Sequence, residues 1–171
     1  MHNRFIAVIL VMLVGLAFFA TSCGKDEKAT SPEELLPTVS VTLGSNEISF
    51  GAVGAAYSSS LGLLIMAFAQ GPQGGYPTCA VTVSSVDTVQ VGMQVECDVG
   101  IYMDSSTAYT CGFLAEGDSA VATVSFSSLD LSQGGLISGD VNGMMEHMDH
   151  MDEGLTPVVI QFRNIPLEST N

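Results

Sequence analysis

One segment concentrates the side chains able to do chemistry. Between Gly143 and Gly154 the chain reads Met-Met-Glu-His-Met-Asp-His-Met-Asp-Glu, with four methionines, two histidines and four acids in ten residues. Thioethers are soft ligands suited to Cu(I), and imidazole suits Cu, Zn and Ni. If the segment turns as a helix, Met144, His147, Met148 and Met151 fall within about 100° of one face, so three thioethers and an imidazole converge. Met145 and His150 would complete the candidate metal set. The competing reading is a loop or helical insertion between two strands, with methionines packed on the sheet and acids in water; a methionine stripe is more often packing than a site.

The rest of the chain offers little to a catalyst. His147 and His150 are the only histidines besides His2, and no G-x-S-x-G elbow occurs. The lysines, Lys25 and Lys28, lie near the N-terminus, outside any folded core. That removes a P-loop and a Schiff-base lysine. There is no Trp for stacking sugars and no C-x-x-C for thiol exchange. Asp140-Val141-Asn142-Gly143 matches only a fragment of a calcium loop. The expectation is a protein without enzymatic activity and without a cofactor, copper being the alternative. The Met/His tract resembles those of periplasmic copper-handling proteins, over about ten residues and no fold.

The N-terminus has the three-part layout of an export signal: Arg4, then the apolar run Phe5–Ala20, then Thr21 and Ser22 before Cys23. Ala20-Thr21-Ser22-Cys23 resembles the lipobox of bacterial lipoproteins, with Ala where Leu is usual. The resemblance implies cleavage after Ser22, diacylglyceryl and acyl (palmitate-type) lipid on Cys23, and a tethered domain. Gly24 after the cysteine implies the outer membrane, facing the periplasm or the cell surface. The alternatives are an uncleaved membrane anchor, since the run is near the upper length of a signal, and ordinary cleavage leaving Cys23 free.

Composition limits partners. Without residues 1–22, three basic side chains (Lys25, Lys28, Arg163) stand against 18 acids, a formal charge of −15. Nucleic acid and anionic headgroups held by a basic patch are excluded. The expected membrane contact is through the N-terminal lipid, and no protein partner is identified. Residues 23–37 read as a polar tether and 38–171 as one domain, with about 130 residues able to bury roughly two-thirds of their surface.

That domain must be the scaffold. Apolar and polar residues alternate in Val95–Ile101, around Tyr109, Cys111 and Phe113, at Val124 and Phe126, and at Val158, Ile160 and Phe162. A period of two marks half-buried antiparallel strands. Leu61–Ala69 is continuously apolar, as in a strand covered on both faces. Gly44–Asn46, Gly71–Gly75, Asp104–Ser106 and Gln133–Gly135 punctuate the runs as turns. The expectation is an all-β domain of eight or nine strands, a single antiparallel β-sandwich or a small barrel. Cys79, Cys97 and Cys111 all fall on apolar phases. Cys97 and Cys111 flank the Asp104–Ser106 turn, which predicts a bridge between them and leaves Cys79 as a buried thiol.

Overall fold

The computed structural model describes residues 36–71, 74–112, 120–150 and 154–170. Cys23, most of the expected tether, and Met151 lie outside them. The described chain is all-β, with ten strands: β1 Thr38–Leu43, β2 Asn46–Ser49, β3 Ala52–Ser58, β4 Leu63–Ala69, β5 Thr78–Val83, β6 Gln94–Tyr102, β7 Ala108–Cys111, β8 Ala122–Leu129, β9 Leu136–His147 and β10 Leu155–Thr170. A 3-10 turn, Val86–Thr88, interrupts the β5–β6 loop.

Seven strands close on themselves in the order β10-β3-β4-β5-β6-β8-β9 and back to β10, with β1, β2 and β7 added to this barrel. One pairing departs from the antiparallel expectation. The end of β10 runs parallel to β3, with Leu167 opposite Ala55. An irregularity between Phe162 and Ile165 makes this possible. Asn164 there adopts φ 56°, a left-handed conformation that Asn tolerates better than most residues, and its N–H donates to Ser138 Oγ at 2.9 Å. Before the bend β10 pairs with β1; after it, with β3. Arg163 secures the bend by donating to Gly139 O, Phe162 O and Asp140 Oδ1.

β7 and β8 are collinear halves of one stave. Both run antiparallel to β6, β7 against Val99–Tyr102 and β8 against Gln94–Cys97, and both pair with β9 on the other side. Between the two halves, Gly112 N–H donates to Ala120 O at 2.8 Å. Gly112 has φ 74°, and a Cβ on it would collide with Asp98.

The interior is filled by side chains. Leu64, Met66, Phe68, Ile101, Phe126, Ile137, Met145, Ile160, Phe162 and Ile165 are all fully buried, each contributing about 1.5–3 kcal/mol by leaving water. Phe126 and Phe162 meet edge to face with centroids 6.1 Å apart. β4 alternates buried and half-buried residues, so it is covered fully on one face only, contrary to the reading of its continuous apolar run. Connections β1–β2, β4–β5, β6–β7 and β9–β10 lie at one end of the barrel, the distal rim. Connections β3–β4, β5–β6 and β8–β9 lie at the other, the proximal rim.

Candidate functional site at the Met/His turn

Residues 144–147 are not helical: they form the end of β9, and 148–150 open the turn into β10. Strand period replaces helical period, so the expected convergence of Met144, His147 and Met148 on one face fails. Met145 is 0% exposed in the core, whereas Met144 is 37% exposed on the outer face, opposite Pro157. Met144 and Met145 therefore cannot serve one ion. Met148 and His150 are exposed at the turn, and Met151 lies outside the described residues.

The structure does bring the two imidazoles together. The rings of His147 and His150 have centroids 4.8 Å apart, tilted by 53°. His147 is buried at the distal rim and meets Tyr109 of β7 edge-on, with centroids 4.9 Å apart. Register explains the contact, because Tyr109 lies opposite His147 across the β7–β9 pair. Sequence reasoning missed Tyr109 as a neighbour; its only signal was its apolar-phase position in a strand.

Hydrogen bonding limits what His147 can do. Its Nδ1 accepts the N–H of Asp149 at 3.2 Å. A neutral ring accepting at Nδ1 carries its proton on Nε2, so neither nitrogen presents a free lone pair to a metal in this conformation. The turn is further held by Met148 N–H donating to Ala108 O at 2.9 Å. Among the described residues, no group of three or more His, Cys, Asp or Glu side chains is placed to hold a metal ion. No protein-family model, no curated protein and no solved structure matches the chain. The site must therefore be read from its own geometry: a paired-imidazole turn, packed on a tyrosine and flanked by Glu146 and Asp149.

On the other face of the same strands, Glu146 lies opposite Thr110, and both are buried. The Thr110 hydroxyl has no hydrogen-bond partner there.

The cysteine pairing differs from expectation. Cys79, Cys97 and Cys111 are buried and free. The predicted Cys97–Cys111 bridge is absent because β6–β7 pairing sets Val99, not Cys97, opposite Cys111. Cys97 is then a diagonal neighbour, about 7–8 Å away between Cα atoms, at or beyond what a disulfide spans. Burial raises all three thiol pKa values, that of Cys111 to about 12. They remain protonated and unreactive inside the barrel.

Proposed function

We propose that this chain is a lipid-anchored envelope protein that acts without catalysis, through the surface of a rigid barrel held at a membrane by residues 23–37. The observation that carries the anchor is Cys23 behind Ala20-Thr21-Ser22 at the end of a signal-like apolar run. The filled interior supports a surface role, since the space that a ligand would occupy in a wider barrel holds Phe68, Phe126 and Phe162. The first described strand begins at Thr38. The surface is strongly anionic. Arg163 is the one described Lys or Arg, and it is paired with Asp140 at 2.8 Å.

Metabolic labelling with a fatty acid, followed by fractionation, tests this reading. Cells expressing the parent should yield a labelled, membrane-bound product lacking residues 1–22, and Cys23→Ser should lose label and cleavage together. A Cys23→Ser product that is still processed normally and stays with membranes would sink the lipoprotein reading.

The adjacent imidazoles favour a second reading, a copper-binding lipoprotein. The candidate donors are now reduced to His147, Met148, His150 and Met151, and His147 must first give up its bond to Asp149. Competition of the full chain against a Cu(I) chelator tests it. A parent that loses as completely as a His147→Gln/His150→Gln variant removes copper from consideration.

A further inference from the structure

The proximal rim carries the most exposed apolar side chains of the described loops. Val86 N–H donates to Gly62 O at 2.9 Å, joining the β5–β6 loop and the β3–β4 turn into one unit, while Gly92 N–H to Phe126 O at 2.8 Å and Gly134 N–H to Leu167 O at 2.9 Å fasten the β5–β6 and β8–β9 loops to strands β8 and β10. From this unit project Leu61 on the β3–β4 turn, and Val91 and Met93 on the β5–β6 loop, which are 72%, 59% and 50% exposed. Leu36, just before β1, is 73% exposed. Leu36, Leu61 and Val91 are the three most exposed large apolar side chains among the described residues.

Isolated exposed apolar residues are ordinary on a protein surface. Three of them at loop tips, on loops bonded to one another at one end of a barrel, form a patch. The described acids of these loops are engaged locally. Asp87 accepts the Tyr57 hydroxyl at 2.5 Å, and Asp130 accepts from Ser132 N and Oγ. The distal rim carries Asp104, which accepts from Ser106 and Thr107, Asp149, the imidazole pair, and the less exposed apolar side chains of Tyr76, Met148 and Leu155.

The chain's own direction identifies what the patch meets. β1 runs from Thr38, opposite Arg163, to Leu43, opposite Val158, while β10 runs the other way and ends at the proximal rim. The segment leading into Thr38 therefore arrives from the proximal side. Cys23 precedes Thr38 by fifteen residues, which reach no further than about 50 Å even when fully extended. A lipid on Cys23 would keep this rim close to a bilayer, where weak apolar contacts act at high effective concentration. With a formal charge of −15 once residues 1–22 are removed and no described cation on the rim, a zwitterionic surface fits and an anionic one is repelled.

Resting on the lipid anchor proposed above, we infer that the proximal rim is a membrane-contacting surface. Leu61, Val91 and Met93 enter the headgroup region of a zwitterionic bilayer beside the Cys23 lipid, and this orientation points the Met/His turn away from the membrane.

The test uses the full chain purified from its membrane and reconstituted into phosphatidylcholine vesicles, with the mass of its N-terminus measured first. Single cysteines replacing Leu61 or Val91, and Ser45 or Ser105 at the distal rim, are labelled with bimane; the buried native thiols stay unlabelled. Phosphatidylcholine brominated on its acyl chains should quench the proximal labels at least twofold more than the distal ones. With Met93→Cys as the labelled position, Leu61→Asp/Val91→Asp should abolish that quenching. An acylated chain with unquenched or equally quenched rims overturns the inference and leaves the anchor standing, as does quenching at position 93 that survives both aspartates. An unacylated Cys23 overturns anchor and inference together. Quenching that strengthens when a fifth of the lipid is phosphatidylglycerol overturns the zwitterionic assignment.

Discussion

Truncating Met145 to alanine removes Cγ, Sδ and Cε from a site with no exposure to water, at the tightly closed end of the β8–β9–β10 wall. Gly143, two residues earlier, is pressed so closely on Ala122 that a Cβ there would approach its backbone to 2.6 Å, so the wall has little room to collapse into the void. A buried Met→Ala change costs about 2–5 kcal/mol under such conditions. For a domain of this size that lowers Tm by on the order of 10 °C. The same truncation at Met144 removes the same atoms from the outer face and should fall within about 0.5 kcal/mol of the parent. Met145→Leu, nearly equal in volume, should cost less than about 1.5 kcal/mol. Urea denaturation followed by far-UV circular dichroism measures all three. Equal costs at 144 and 145 would mean that the strand period assigned to this segment is wrong. A costly Met144 beside a neutral Met145 would mean that its register is slipped by one residue.

The thiols Cys79, Cys97 and Cys111 should resist a water-soluble disulfide reagent in the folded protein and react together once urea unfolds it; a Cys97–Cys111 peptide in a non-reducing digest would contradict the register. Because burial raises their pKa values, the folded state holds protons that the unfolded chain releases, so stability should fall as pH rises from about 9 towards 12. Asp104 behaves oppositely: hydrogen bonds from Ser106 and Thr107 lower its pKa to about 2. Its stabilisation is present above the ordinary carboxylate range and is lost as pH falls from about 4 to 2, and Asp104→Asn should flatten that part of the acid-denaturation curve. Thr110→Val removes a buried hydroxyl without a partner and should be neutral or stabilising in thermal melts; a loss above about 1 kcal/mol would show that the hydroxyl is bonded. Gly112→Ala should destabilise by more than about 1 kcal/mol, since alanine is strained at this φ and its Cβ meets Asp98.

What could be read from sequence depended on how cleanly each strand alternates. β6, β8 and the first half of β10 place Val99, Ile101, Val124, Phe126, Ile160 and Phe162 on one phase, and all are buried. β9 was illegible because Glu146 and His147 are buried in succession and the methionines mimic a helical stripe. Closure was illegible for another reason. The strand that seals the barrel, Ala52–Ser58, carries mostly small residues, and its parallel partner is reached only through the bend at Arg163–Asn164. No periodicity announces such a bend. The cysteine pairing failed by a two-residue offset. A turn centred on Ser105, which the observed pairing of Tyr102 with Ala108 keeps, places Cys97 eight residues and Cys111 six residues from its centre, so the two cysteines could never face each other directly.

The divided stave has a bearing on how this protein can change. Its two halves stay in line because β6 and β9 grip them from both sides, and the Gly112–Ala120 hydrogen bond holds the cut ends together. The barrel therefore fixes the positions of Gly112 and Ala120, and lengthening the sequence between two fixed ends costs only a loop-closure entropy that grows logarithmically, about 0.6 kcal/mol for each doubling. Such a break is a port in the wall: a peptide or a whole domain spliced between Gly112 and Ala120 would be carried on the barrel's flank without disturbing either rim. Variation among descendants of this chain would be expected to gather at that point, where sequence can lengthen almost freely while the fold around it stays unchanged.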